Sequence, residues 1–331
     1  MKKLSLMSLI ILLILSFSLT SVFAEKPLVL NLALVMPPDS DKNRCCIKFA
    51  ELVQNKTDGM IQVEIFPAGQ LGNEEQIAQG VQMGSVELAF VASEMYSSYV
   101  PELAVFGTPL IITSDEKWDA VMWSPIVDKM VDKLTKVAGV RIIGRWWMDQ
   151  RFILTTKKPV YTPADLAGLK IRVPQMIAYT ATIEALGATP TPIPYDSVYM
   201  ALSQGVIDGM ENPSGLIRSM KFYEVCKYLT KVPILNSLAV LVINESTFQQ
   251  LTPIQKEILI EAANEAGEYL SKIITEERQD NFNFFEEQGM KIIEVESFEP
   301  WLDKIKDFPE KYNEIWGGDV DLYYQILNFE Y

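Results

Sequence analysis

The sequence predicts an α/β protein of two domains braced by one long helix. Three observations carry this. Short apolar and β-branched runs alternate with helical periodicity from Pro27 to Trp147. The alternation restarts at Arg151. After Thr252-Pro253 a helical stretch meets no proline up to Gly289, about 36 residues or about 54 Å at 1.5 Å per residue. That is longer than one domain is wide, so the helix should lie across both; a break into two helices near Gly267 is the alternative.

Taken in order, PLVLNLALVMP reads as the first strand and residues 41–57 as a helix with Ile47, Phe49, Ala50, Leu52 and Val53 on one side. IQVEIFP alternates strictly and reads as the second strand. Asn73 caps the next helix, with Glu74 and Glu75 in its first turn and Gly84 near its end. VELAFVAS is a third strand, 115–137 a helix and VRIIGRWW a fourth strand. Such alternation builds a mostly parallel sheet. After residue 150, RFILTTKK is a strand and Thr162-Pro163 starts a short helix with proline at its first position. LKIRVP is a strand, 175–187 a helix, TPTPIP an extended segment and 195–205 a helix; IDGMEN opens a strand or loop, and 238–242 is a further strand.

Residues 1–24 read as a secretory signal: Lys2 and Lys3, an apolar run over 4–19, then Val22-Phe23-Ala24 before a cut at Glu25. An uncleaved anchor is the other reading. Lys and Arg total 29 against 43 Asp and Glu, a net charge of −14, which argues against nucleic acid and anionic lipid as partners. Such a chain must build a local positive pocket to hold an anion. The three cysteines, Cys45, Cys46 and Cys226, are an odd count and no disulfide framework. Buried free thiols are expected, with a Cys45–Cys226 or Cys46–Cys226 bridge left open. Histidine is absent, which removes the usual general base and the commonest metal ligand. GxSxG, HExxH and GxxxxGK motifs are absent too. Paired carboxylates of the glycosidase kind stay open among so many acids, and nothing singles out a pair.

Arg172 carries the most chemistry. In Leu169-Lys170-Ile171-Arg172-Val173-Pro174, alternation puts Leu169, Ile171 and Val173 on one face and Lys170 and Arg172 on the other. Pro174 ends the strand, so Arg172 projects at a carboxyl end, where open α/β sheets bind ligands. Its planar fork can hold a carboxylate through two parallel hydrogen bonds; a surface salt bridge is the plain alternative. Arg151 opens its strand with the same ambiguity. Asn212 follows the Asp208-Gly209 turn signal and precedes Pro213, which is ordinary turn chemistry. Trp146 and Trp147 read as core rather than pocket wall, and Glu211 is one carboxylate only, weak as a metal ligand.

Four blocks in order, FPAGQLGNEEQIAQGVQMGSVELAF, TPADLAGLKIRVP, LGATPTPIPYDSVYMALSQGVIDGMENP and SMKFYEVCKYLT, resemble the solute-binding subunits of tripartite ATP-independent periplasmic (TRAP) transporters, over about residues 28–320. The resemblance implies a periplasmic-binding-protein-like fold of two lobes that close about a hinge near 148–150 and 235–238. It divides the chain into a signal (1–24), a first lobe (25–148 with 237–275) and a second (149–236 with 276–331). It implies a periplasmic receptor, not an enzyme, that delivers an organic acid to a membrane permease driven by an ion gradient. The acid could be a dicarboxylate, a uronate or other sugar acid, or a keto or hydroxy acid. Arg172 maps onto the family's carboxylate clamp, Arg151 onto a second arginine, Asn212 onto the asparagine of the DGxENP block, Gln175 onto the position three after the clamp and Tyr195 onto a loop aromatic. Ser197 stands where glutamate is usual. Ala92 and Met95 stand where sialic-acid binders carry glutamate and arginine, which speaks against sialic acid. Asn212 stands where metal-dependent keto-acid binders carry tryptophan, so no metal or other cofactor is implied. A secreted two-domain hydrolase and a ligand-sensing receptor for a signalling protein are the competing readings.

Overall fold

The computed structural model describes residues 26–330, so the expected signal segment lies outside the described residues. Nine strands form one sheet: β1 (Leu28–Ala33), β2 (Ile61–Phe66), β3 (Leu88–Ala92), β4 (Val140–Thr155), β5 (Lys170–Val173), β6 (Thr189–Pro192), β7 (Gly209–Pro213), β8 (Tyr228–Asn244) and β9 (Lys291–Ile293). Their order is β2-β1-β3-β8-β4-β7-β5-β6, with β9 beside β8. Pairings within each lobe are largely parallel, as the alternation predicts, but β8 runs antiparallel to both β3 and β4, and β4 antiparallel to β7.

The two lobes therefore share a sheet instead of having one each. The runs VRIIGRWW and RFILTTKK are one 16-residue strand, and the short strand expected at 238–242 is the end of a 17-residue one. β4 and β8 cross from lobe to lobe side by side. Their register slips between Trp147 and Gln150, where Trp147 faces Leu238 and Gln150 faces Asn236. Asp149 sits in that slip with φ of 79°, a left-handed conformation that a non-glycine residue adopts at a bulge. Both expected hinge segments thus meet at one irregularity. Pro233 lies in the next slip, between Thr230 and Leu235, where the ladder asks for no N–H.

The helix Pro253–Glu287 is continuous for 35 residues. Thr252 and Gln255 form a reciprocal capping box at its start. Gly267 does not break it. A Cβ there would stand 2.8 Å from Cδ1 of Trp146, and one on Gly144 would stand 2.6 Å from Trp146 Nε1. The glycines let the helix and β4 close on the indole, whose Nε1 donates to the Ala263 carbonyl at 2.8 Å. Trp147 is buried too, donating to Asn236 Oδ1 at 2.8 Å, so both tryptophans are core. The single helix expected over 115–137 is two, Asp115–Met122 and Pro125–Ala138, because Pro125 supplies no N–H to continue the first.

All three cysteines are free and buried, and Cys45 Sγ lies 3.0 Å from the Ala266 carbonyl. The C-terminal segment departs from the expected division. β9 and the helix Glu299–Lys304 pack on the second lobe, but the chain then returns: the turn Asn313–Trp316 packs on Pro101–Gly107 of the first lobe, and Lys117 Nζ donates to the Leu327 carbonyl. Trp316 and Ile326 are fully buried there, so residues 308–327 complete the first lobe's core.

Candidate ligand-binding site

The carboxyl ends of β1, β3, β5 and β7 point into the seam between the lobes, as open α/β sheets arrange their sites. Arg172 from β5, Arg151 from β4 just past the bulge, Asn212 from β7 and Tyr195 line a small deep cavity of about 30 Å³. The first lobe closes it with Val35, Met36, Glu74 and Ala92. That volume admits a carboxylate-sized group or a few waters. A second recess of about 330 Å³ adjoins it, sharing Val35, Glu74 and Tyr195, and has the size of an ordinary small-molecule site.

Arg172 is 3% exposed and forms no ion pair among the described residues. Its Nε donates to the Ile193 carbonyl at 2.9 Å, which fixes the guanidinium and leaves both terminal nitrogens without a hydrogen-bond partner among the described residues. Its guanidinium lies 5.6 Å from the centre of the Tyr195 ring. Burial, with Arg151 nearby, pulls Arg172 down to about 10, against the upward pull of Glu211. It stays charged at neutral pH, and an uncompensated buried cation attracts an anion strongly.

Arg151 differs. Its Nε is ion-paired with the Glu211 carboxylate, and its Nη2 lies 3.4 Å from the Glu211 carbonyl. The pairing is set by register: Arg151 faces Pro213 and Ile153 faces Glu211 across β4 and β7, so the two charged side chains meet diagonally. Glu211 holds the Arg151 guanidinium well above its ordinary value. Asn212 lies within strand β7, not in a loop, and is fully buried. Its Nδ2 donates to the Tyr195 hydroxyl at 3.1 Å, while its Oδ1 is buried with no donor. Such an orphaned acceptor calls for an explanation, and a ligand hydroxyl would satisfy it. Tyr195, raised to about 12 chiefly by burial, keeps its own proton to donate.

Gln175 is the one expected site residue that the fold turns away. It is exposed and outside the lining, because the Met176 N–H bonds back to the Pro174 carbonyl at 2.7 Å and this tight turn points position 175 outward. Pro174 and Met176 line the cavity in its place. Ala92 lines the cavity as expected of its position and donates its N–H to Glu74 Oε1 at 2.9 Å, whereas Met95 lies outside the lining. Ser197 lines the recess.

Sequence reasoning missed Glu74, Met176 and Tyr179 as lining residues. Glu74 was legible only as a first-turn acid; its place at the mouth depends on how the helix Glu74–Met83 docks beside β3. It also missed Glu94, 2% exposed behind the cavity. The Tyr179 hydroxyl lies 3.5 Å from Glu94 Oε1 and also bonds Ser237, so first lobe, second lobe and crossing strand meet at one acid. Burial pushes Glu94 up to about 7 from 4.5, helped by Glu74 and opposed by Ser93 and Arg151. The folded protein thus holds this proton more tightly than the unfolded chain. The resulting stability is fully present below about pH 4.5 and is lost as pH rises through about 7. Glu94→Gln should remove that loss. Urea unfolding of variant and wild type should diverge in the variant's favour between pH 5 and 8, by on the order of 3 kcal/mol. A difference that stays constant across this range would mean that Glu94 titrates as an ordinary carboxylate.

Comparison with known proteins gives the family. The family model for the bacterial extracellular solute-binding proteins, family 7, matches residues 32–316. A solute-binding protein of Roseobacter denitrificans is 35% identical over 250 residues, covering 76% of each chain. The 2,3-diketo-L-gulonate-binding periplasmic protein of Escherichia coli is 30% identical over 246 residues, covering 74% of this chain and 75% of its own. Among solved structures, a TRAP solute-binding protein of Roseobacter denitrificans with bound L-galactonate superposes with a TM-score of 0.83 at 30% identity, covering 91% of this chain and 100% of that one. The sugar acid binding protein of Advenella mimigardefordensis in complex with galactonate gives 0.84 at 27% identity, covering 91% and 99%. Family and neighbours alike are receptors and not enzymes, which leaves the hydrolase alternative without support. With a buried, unpaired arginine at the seam of two lobes and these relatives on either side of it, the chain belongs to the family 7 extracellular solute-binding proteins, the organic-acid receptors of TRAP transporters.

Proposed function

We propose that the receptor captures a sugar acid in the periplasm and hands it to a TRAP permease. The observation that carries the ligand class is Arg172, a buried guanidinium beside the Tyr195 ring whose two terminal nitrogens have no partner among the described residues. A carboxylate accepts both parallel N–H bonds and cancels the buried charge. The Arg151–Glu211 pair backs this site as a neutral unit, and Asn212 Oδ1 accepts from a hydroxyl near the carboxylate. Relatives that bind galactonate and 2,3-diketo-L-gulonate support the class. The 1–24 segment serves as export signal in this reading, and lobe closure on the ligand gives the permease a shape to recognise.

A thermal-shift panel tests it. Galactonate, gluconate, glucuronate and erythronate should stabilise the protein, by about 2.7 kcal/mol for any that reaches 100 times its dissociation constant. Galactose, glucose and polyamines should not. Stabilisation by a neutral sugar and by no acid would sink the reading.

A further inference from the structure

The recess beside the deep cavity has a charge pattern that the carboxylate clamp does not account for. Its polar lining consists of Asn73, Glu74, Gln76, Tyr195, Asp196 and Ser197. Two of these are carboxylates, and among the described residues no lysine or arginine lines the recess. In the deep cavity the second cation, Arg151, is already neutralised by Glu211. One uncompensated positive charge therefore serves the whole site, and the space beyond it is acidic.

We propose that this recess selects a neutral, hydroxylated tail and rejects a second carboxylate, so the receptor takes aldonate-type monoanions and excludes the aldarates of the same carbon skeleton. The inference rests on the sugar-acid reading above and narrows it. A tail hydroxyl donates to Glu74 or Asp196 and accepts from Asn73 or Gln76, and carboxylate acceptors hold hydroxyl donors more strongly than neutral groups do. A terminal carboxylate in the same place loses water, meets two like charges and finds no cation. Building unpaired like charges against the wrong ligand is a common route to specificity.

The two sugar acids that differ only at the far end give the test. Calorimetric titration with L-galactonate and with galactarate at pH 7.5 should show the aldonate binding at least about a hundredfold more tightly. Asp196 is exposed and, among the described residues, its carboxylate is bonded only by Ser197, so Asp196→Asn leaves the fold alone, and Glu74→Gln keeps the oxygen that accepts from Ala92. The double variant should narrow the galactonate preference tenfold or more. Galactarate within threefold of galactonate in the wild type, or an unchanged ratio in the folded double variant, overturns the proposal while leaving carboxylate capture standing. Failure of both acids to bind, with every other sugar monocarboxylate silent, overturns the sugar-acid reading and this inference with it.

Discussion

Arg172→Ala is expected to weaken sugar-acid binding at least about a hundredfold while the protein still folds. Among the described residues the side chain makes one hydrogen bond, from Nε to the Ile193 carbonyl, and its outer edge faces the cavity. Truncating one member of a buried charge pair costs about 2–5 kcal/mol, partly because the other charge is left without a partner. Arg172→Lys restores a charge but not the planar fork, so it should recover only part of the loss. Titration calorimetry on the three proteins, with circular dichroism as a fold control, measures both effects. Wild-type affinity in a folded Arg172→Ala variant would place the carboxylate elsewhere. Arg151→Ala makes an instructive contrast. It leaves Glu211, fully buried, without its ion-pair partner, so it should fail mainly in stability, in the range of about 3–5 kcal/mol typical of a broken buried pair.

Trp146→Ala should cost about 3–5 kcal/mol of unfolding free energy, the range for deleting a large buried aromatic. Trp146 is 1% exposed, lies 5.5 Å from the Phe90 ring centre, and is the surface on which the long helix rests. The cavity left behind would be walled by a rigid helix and strand that collapse poorly. Gly267→Ala sharpens the argument by its sign. In a free helix interior that change stabilises by about 1 kcal/mol. Here the new methyl stands 2.8 Å from the indole, so it should destabilise. Urea unfolding settles both, and a stabilised Gly267→Ala would mean the helix is not seated on Trp146.

Local patterns in the sequence carried Arg172 to the end of a strand, and there it lines the cavity. Lys170 is exposed and Ile171 and Val173 are buried, while Arg172, on the Lys170 face by alternation, is buried because the strand end sits at the ligand seam. The long helix was legible from its Thr-Pro start and from the absence of any later proline. What the local patterns did not show was set by register, by irregular backbone or by a single turn. Arg151 stayed open between a salt bridge and a ligand contact because Glu211 is 60 residues away and meets it only through the β4–β7 register. β4 and β8 read as short strands because the slip at Asp149 and the proline at 233 interrupt their patterns, although the chain stays extended through both. Gln175 was carried over by spacing, and one backbone turn at Pro174 moved it to solvent.

The return of residues 308–327 to the first lobe has a consequence for how the chain reaches this structure. Its second lobe is drawn mostly from one stretch, between the two passes of β4 and β8, whereas the first needs segments as far apart as β1 and the helix Val320–Leu327. Closing so long a loop is slow, and contacts between distant segments form late. A polypeptide delivered amino end first therefore finishes the second lobe while the first still lacks Trp316 and Ile326. Until those last residues arrive, the apolar surface beneath them stays open to water, and an unfinished first lobe is the aggregation-prone form of the chain.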